Sequence, residues 1–262
     1  MLSPQPKPKK IVLLGREDNQ TAILYSSLQP EFSIERVIVE QGESRLKFVK
    51  RRVKRLGWRK TLGQVAFRLV VVPWLEATSR RRVSEITRQS GMDASPIPAL
   101  KLVKVSSVNS DQTIRLLQEL QPSVIVVSGT RIIAAAVLNC VPAVFINMHA
   151  GITPMYRGVH GGYWALVEHN IDACGVTVHE VDTGVDTGRI LGQARIVPNG
   201  ADNFATYSSL QLAAGLPLLK RAIGDACEGQ LQTVPAPVGK SRLWTHPTLA
   251  EYVYHRMKSG VK

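Results

Sequence analysis

The chain has 262 residues, 44% hydrophobic and 20% charged, a balance that supports one large buried core and excludes a disordered protein. Its net charge of +13 is uneven: residues 45–88 hold fourteen Lys/Arg against only Glu76 and Glu85, so the rest is close to neutral. Cys140, Cys174 and Cys227 are far apart and form no C-x-x-C pair, which suggests neither a disulfide framework nor a thiolate metal site and fits a reducing cytoplasm.

Residues 1–10 are rich in proline and lysine, and the apolar run behind them, 11–14, is too short for a secretory signal. Residues 10–14 read as a first strand, followed by a turn at 15–19, a helix through Leu28 and a second strand at 32–39. Residues 41–95 then break this rhythm. Leu46, Val49, Val53 and Leu56 form one apolar stripe on a helix whose other faces carry Lys and Arg. A second helix puts Leu62, Val65, Leu69 and Val72 on one side and is expected to end at Pro73, and a third, short and basic, begins near Ser79. The apolar run 65–75, broken by Arg68 and Pro73, is too short to span a bilayer. This segment reads as a basic helical insertion.

Strand–helix alternation resumes at 102–106. Ser110 is a good N-cap for a helix to Leu120, and 123–127 is the near-continuous apolar run of a central strand. A helix at 132–138, a strand at 143–148, a glycine-rich loop, a helix at 161–168, strands at 175–181 and 189–197, and a long helix within 201–226 complete the pattern. The predicted fold is an open, mostly parallel α/β sheet of Rossmann-like type, with a catalytic domain over 1–230 and a C-terminal tail at 231–262 that shows little periodicity.

Two places carry chemistry. Asn147 and His149, two apart at the end of a buried strand, project to the same side at the edge where open α/β sheets bind ligands. Such a pair can donate to an oxygen that gains negative charge, although an Asn ending a strand and a His satisfied by backbone would look the same. Downstream, two D-T-G triplets, Asp182 to Gly184 and Asp186 to Gly188, make a tight acidic loop between strands. Aspartic proteases draw their two triplets from separate lobes, and two copies this close cannot reproduce that geometry. A carboxylate beside a histidine can orient it or relay protons, and a turn closed by Asx caps is the plainer alternative. No Walker loop, dinucleotide fingerprint or metal-ligand spacing is present.

In order and spacing, Asn147-x-His149, Pro154-x-x-Arg157-Gly158, Gly175-Val-Thr177-Val-His179 and Asp186-Thr-Gly188 resemble the folate-dependent formyltransferases. That family includes the glycinamide ribonucleotide, methionyl-tRNA and amino-sugar N-formyltransferases. The resemblance is close over 122–191 and extends back to Lys10 by element order. It implies 10-formyltetrahydrofolate as formyl donor, Asn147 and His149 as oxyanion donors, and Asp186 as the group that orients His149 and relays the amine proton. It also implies a pterin site along Arg131, Ile132 and Ile133 and along Val181, Asp182, Gly184 and Val185, with Ile133 equally suited to plain core. Arg157 and His160 would face the substrate, His160 directly or through a water, while His179, in a strand with Thr177, reads as a site residue or, more plainly, as a capped sheet histidine. His169, His246 and His255 lack supporting context.

The resemblance implies an amine as acceptor. Gly15 to Asn19 carries two acids and one glycine where the purine enzyme has a glycine-rich phosphate loop, and the 64 residues after Pro198 leave little room for the tRNA enzyme's C-terminal domain. The run from Gly158 to Ala165 looks most like the sugar enzymes, whose rings Tyr163 and Trp164 would stack on unless they are core. The expected partner is therefore an amino sugar or a similar small amine. Residues 45–88 are open to three readings: a solvated face on helices that pack by their stripes, contact with an anionic membrane or glycolipid, or contact with tRNA, which few interleaved aromatics favour. The alternatives are methionyl-tRNA or glycinamide ribonucleotide formyltransferase activity and, from a different class, a non-catalytic binding protein on the same scaffold.

Overall fold

A computed structural model describes residues 9–42 and 45–262. β1 (Ile11–Arg16) is apolar on both faces and leads into α1 (Asn19–Leu28), where the Asp18 carboxylate accepts from the Thr21 N–H at the first turn. After β2 (Ile34–Glu40), the chain forms α2 (Arg45–Leu56) and α3 (Trp58–Ala66), separated at Gly57, whose φ of 82° suits glycine alone. A π-helical turn at Phe67–Val71 joins α3 to α4 (Val72–Gln89). The α/β pattern then returns with β3 (Leu102–Val105), α5 (Asp111–Leu120), β4 (Val124–Val127), α6 (Ala135–Leu138) and β5 (Val144–His149). The second half comprises β6 (Arg157–Gly158), α7 (Gly161–Val167), β7 (Gly175–Glu180), β8 (Ile190–Arg195), α8 (Phe204–Glu228), β9 (Leu243–Trp244) and α9 (Leu249–Ser259).

The main sheet has the order β3-β2-β1-β4-β5-β7-β8, with the first five strands parallel, β7 antiparallel to β5 and β8 antiparallel to β7. The order reverses between β1 and β4, and β5 lies next to that switch, with its C-terminal end on the ligand-binding edge. This is the open, mostly parallel α/β sheet expected. Alternate residues of β1 face opposite layers: Ile11 and Leu13 pack with Leu24 of α1 and Leu219 of α8, and Val12 and Leu14 pack with Leu117 of α5 and Val137 of α6.

A third core, rich in aromatics, holds the insertion to the body. Phe67 is fully buried, its ring 5.0 Å from Phe204 of α8 and 5.1 Å from Tyr252 of α9. Tyr163 and Trp164 of α7 are core here, with Trp164 stacked on Trp244 at 4.7 Å. Arg82 of α4 grips Asp202, just before α8, through Nε–Oδ1 at 2.8 Å and Nη2–Oδ2 at 3.2 Å.

Four sequence expectations change. Pro73 does not end a helix. It sits in the first turn of α4 behind the widened π turn, where its missing N–H is not needed, and α4 therefore starts before Ser79. The helix expected at 132–138 is only the short α6. Residues 231–262 are not a featureless tail: they carry β9, which pairs with β6, and α9, which starts with a Thr248–Glu251 capping box. Finally, the stripe of Leu62, Val65, Leu69 and Val72 does not pack inward as a unit: Leu62 and Leu69 are exposed, Val65 is half-buried, and only Val72 packs against the aromatic core. Thr61, Gln64 and Phe67 point inward, because α9 covers Phe67 and Gln64 Nε2 donates to the Thr245 hydroxyl and the His246 carbonyl. Among the described residues, no helix is long and apolar enough to cross a membrane.

Candidate active site

Register places the site. In the antiparallel β5–β7 pair, Asn147 stands opposite His179, and His149 opposite Thr177. Residues two apart on a strand share a face, so Asn147, His149 and His179 converge. Asp186, from the loop between β7 and β8, adopts φ 52°, a left-handed conformation that aspartate tolerates better than most residues, and this turns its carboxylate back over the strand ends. Its Oδ2 lies 3.3 Å from His149 Nδ1, and its Oδ1 lies 3.6 Å from His179 Nε2. The Gly158 N–H donates to Oδ2 at 2.8 Å. Gly158 has φ 97°, and a side chain there would run into the Trp244 carbonyl, so glycine is required for this close approach.

Each histidine is oriented by a carbonyl. His149 Nε2 donates to the Tyr156 carbonyl at 2.7 Å, and His179 Nδ1 donates to the Glu180 carbonyl at 2.6 Å. In the neutral ring, His179 Nε2 is then left to accept from Asn147 Nδ2 at 3.1 Å. His149 faces two acceptors, the Tyr156 carbonyl and Asp186, and as a neutral ring it has one N–H to offer them.

The electrostatics fit that arrangement. Burial pushes His149 below the usual histidine value, outweighing the raising effects of Asp186 and the Tyr156 carbonyl, with His179 also lowering it. For Asp186, burial acts upward, but His179, the charge of His149 and the Gly158 N–H together bring its carboxyl below the ordinary range. Near neutral pH the site therefore holds a carboxylate against a neutral imidazole, a pair able to take up a proton that would satisfy both acceptors of the ring.

The other expected site residues divide. Arg157 Nη1 donates to the Val185 carbonyl at 3.1 Å, while its buried Nε has no partner among the described residues. Arg157 and Asp186 line a cavity of about 360 Å3 together with Thr153, Arg189, Thr233 and Ser241. Asp182 closes its own loop, accepting from the Gly184 N–H and the Thr187 hydroxyl, which is the turn-forming role considered for it. Val181 packs partly into the core, its N–H donating to the Phe145 carbonyl.

At the end of β4, Arg131 is held by the buried Glu40: its N–H donates to Oε1 at 2.9 Å and its Nε to Oε2 at 2.6 Å. Its backbone N–H is thus already used. Ile132 is 57% exposed, and Ile133 is 3% exposed within the sheet core beside Val12 and Ile38, the core role left open for it.

His160 lies apart from the Asn147–His149–Asp186 group. Its Nε2 is 2.9 Å from His246 Nδ1, and its ring packs on Phe204 at 4.2 Å. Burial, then His246, Arg68 and Arg52, hold it well below the usual histidine value, and burial with Arg52 and Arg68 brings His246 down to about 4. Sequence reasoning left His179 undecided between site and sheet and gave His246 no role. For His179 the signal was present: an antiparallel strand carrying it beside β5 would set it facing Asn147.

A second cavity, of about 330 Å3, is lined by Ile152, Met155, Asp172, Gln193, Arg195 and Val238 and holds none of this cluster. Among the described residues no group of His, Cys, Asp and Glu is placed to hold a metal ion.

Residues 76–209 match the formyl transferase family. The chain belongs to that family. The matched region contains Asn147, His149, His179 and Asp186 and begins inside α4, beyond most of the basic insertion. The methionyl-tRNA formyltransferase of Thermodesulfovibrio yellowstonii is 33% identical over 137 residues, which is 52% of this chain and 44% of that protein, so the alignment spans under half of the relative. Among solved structures, glycinamide ribonucleotide transformylase 1 from Symbiobacterium toebii superposes with TM-score 0.56 at 19% identity, covering 88% of this chain and 93% of that one. A sugar N-formyltransferase from a Shewanella species superposes with TM-score 0.51 at 15% identity, covering 90% and 76%. These likenesses establish the shared fold.

Proposed function

We propose that this member of the formyl transferase family moves a formyl group from 10-formyltetrahydrofolate to the primary amine of an amino sugar or a similarly small amine. The convergence of Asn147, His149 and Asp186 at the end of β5, beside the cavity lined by Arg157, carries this reading. The amine nitrogen attacks the formyl carbon, and the carbonyl electrons move to oxygen. One hydrogen of the Asn147 amide points to His179, and the other is free to stabilise that oxyanion. His149 and Asp186 take the proton released by the attacking nitrogen, with the imidazolium held between Asp186 and the Tyr156 carbonyl. The bond to the folate nitrogen then breaks, and that nitrogen leaves with a proton. The pterin is assigned to the strand-end loops at 131–133 and 181–185, with Arg157 and His160 toward the acceptor.

Small acceptors are favoured because the turn after β1 is unsuited to a phosphate: Asp18 is spent as a helix cap and Glu17 pairs with Lys104. A second reading, methionyl-tRNA as acceptor, is supported by the curated relatives and the basic insertion. Single-turnover release of tetrahydrofolate from 10-formyltetrahydrofolate, with amino-sugar nucleotides, glycinamide ribonucleotide and charged initiator tRNA offered in parallel, separates these acceptors. If no amine is formylated while wild type and Asn147→Ala bind folate alike, the chain is a binding protein on this scaffold and the enzyme reading fails.

A further inference from the structure

The insertion buries one side and leaves an apolar side bare. Thr61, Gln64 and Phe67 point inward at three-residue steps. Trp58, Leu62 and Leu69 recur at helical spacing on the opposite side and are 62%, 61% and 71% exposed. Trp74 of α4 and Met257 of α9 are also exposed, and Arg256 of α9 lies 6.0 Å over the Trp74 ring. Leu46 of α2 is exposed as well. Through the same helices run exposed Arg51, Lys54, Arg55, Arg59, Lys60 and Arg68, in a segment with fourteen basic residues and two acids.

We propose that this face is a docking surface for a lipid bilayer with anionic headgroups. Its leucines and tryptophans enter the headgroup–acyl boundary while the long basic side chains reach back to the lipid phosphates. A second copy of the chain fits poorly, because a two-fold contact sets two such positive segments against each other. RNA would use the charge but leave Leu62 and Leu69 set against phosphate. A bilayer complements the apolar and the basic components together. The inference does not depend on the proposed reaction, and its test needs no formyl-transfer assay.

The intact chain is incubated with vesicles of phosphatidylcholine alone or of equimolar phosphatidylcholine and phosphatidylglycerol, and binding is read by co-sedimentation and tryptophan fluorescence. Binding to anionic vesicles is expected to exceed binding to neutral ones by about tenfold or more at low salt, with a blue shift in emission. Leu62→Asp/Leu69→Asp alters exposed positions and, with unchanged circular dichroism and melting, is expected to lose about tenfold or more in anionic-vesicle binding. Should that variant fail to fold, quenching of wild-type tryptophan emission by lipids labelled in the acyl chain replaces it as the readout. The proposal is overturned by equal or absent binding to both vesicle types, by unaltered binding of the folded double variant, or by absent quenching. It is equally overturned by a dimer that the double variant abolishes, or by tRNA binding that is tighter than vesicle binding and indifferent to both leucines.

Discussion

Asn147 and His179 face each other across the antiparallel β5–β7 pair, and their side chains meet at 3.1 Å. Because His179 Nδ1 is spent on the Glu180 carbonyl, the neutral ring can only accept from Asn147, which fixes which way the Asn147 amide points. His179 is thus a positioning residue: it sets the donor that the proposed reaction needs.

His179→Ala should therefore lower kcat by about ten- to a hundredfold through misplacement of Asn147, with little change in KM for the folate. His179→Gln, which keeps an acceptor near the amide, should recover part of the loss. Asn147→Ala should cost about a hundredfold or more in kcat, as loss of an oxyanion donor does. Equal damage from His179→Ala and His179→Gln, falling on KM, would show that His179 serves only to pack the strand.

Asp186 should control the acid limb of the pH profile. The proposed mechanism needs neutral His149, which burial holds below the ordinary value of about 6.5, so activity should be flat near pH 7 and fall only below that value. The Asp186 charge acts to raise His149. Asp186→Asn removes that effect, so kcat should drop by about a hundredfold or more while the residual acid limb moves to still lower pH. An acid limb that stays in place or moves upward in Asp186→Asn would contradict the coupling.

Gly158→Ala tests the approach that brings a backbone N–H onto Asp186. A Cβ at φ 97° is strained by about 1 kcal/mol or more and meets the Trp244 carbonyl, so the β6–β9 pair must part. The variant should melt lower and lose the Gly158–Asp186 hydrogen bond. Wild-type melting and wild-type kcat together would mean that the approach is dispensable.

Much of the sheet was legible because its strands are short apolar runs between turn signals, and because Ser110 caps its helix by local chemistry. Asn147 and His149 were legible from strand-end spacing, whereas Asp186 was singled out within the acidic loop by the family resemblance. What escaped was decided by distant partners. Leu62 and Leu69 have the spacing of a buried stripe, but α9, nearly two hundred residues away in the chain, covers Phe67 instead and turns the helix. His246 gains its meaning only when β9 pairs with β6 and brings it to His160. Pro73 follows a π turn that periodicity cannot reveal.

The Arg82–Asp202 pair shows how the insertion is fastened. Asp202 has no side-chain exposure, and Arg82 is 18% exposed, so removing the cation leaves a carboxylate inside the protein. Burial raises Asp202, but the Arg82 hydrogen bond, the Asn199 N–H and the Arg82 charge overcome it and hold the carboxyl below its ordinary value. A depressed folded-state pKa contributes stability above the unfolded value of about 3.9, and that contribution is lost as pH falls through the folded pKa. Arg82→Met should therefore destabilise by about 2–3 kcal/mol at pH 7, the low end for a broken buried pair because Arg82 keeps some water contact. The gap between wild type and variant in urea unfolding should be full near pH 7. It should close as pH falls through the folded-state Asp202 pKa of the variant, which burial raises once Arg82 is gone, and then through the depressed value of wild type. A gap that is constant with pH would trace the loss to packing of the arginine stem instead of its charge.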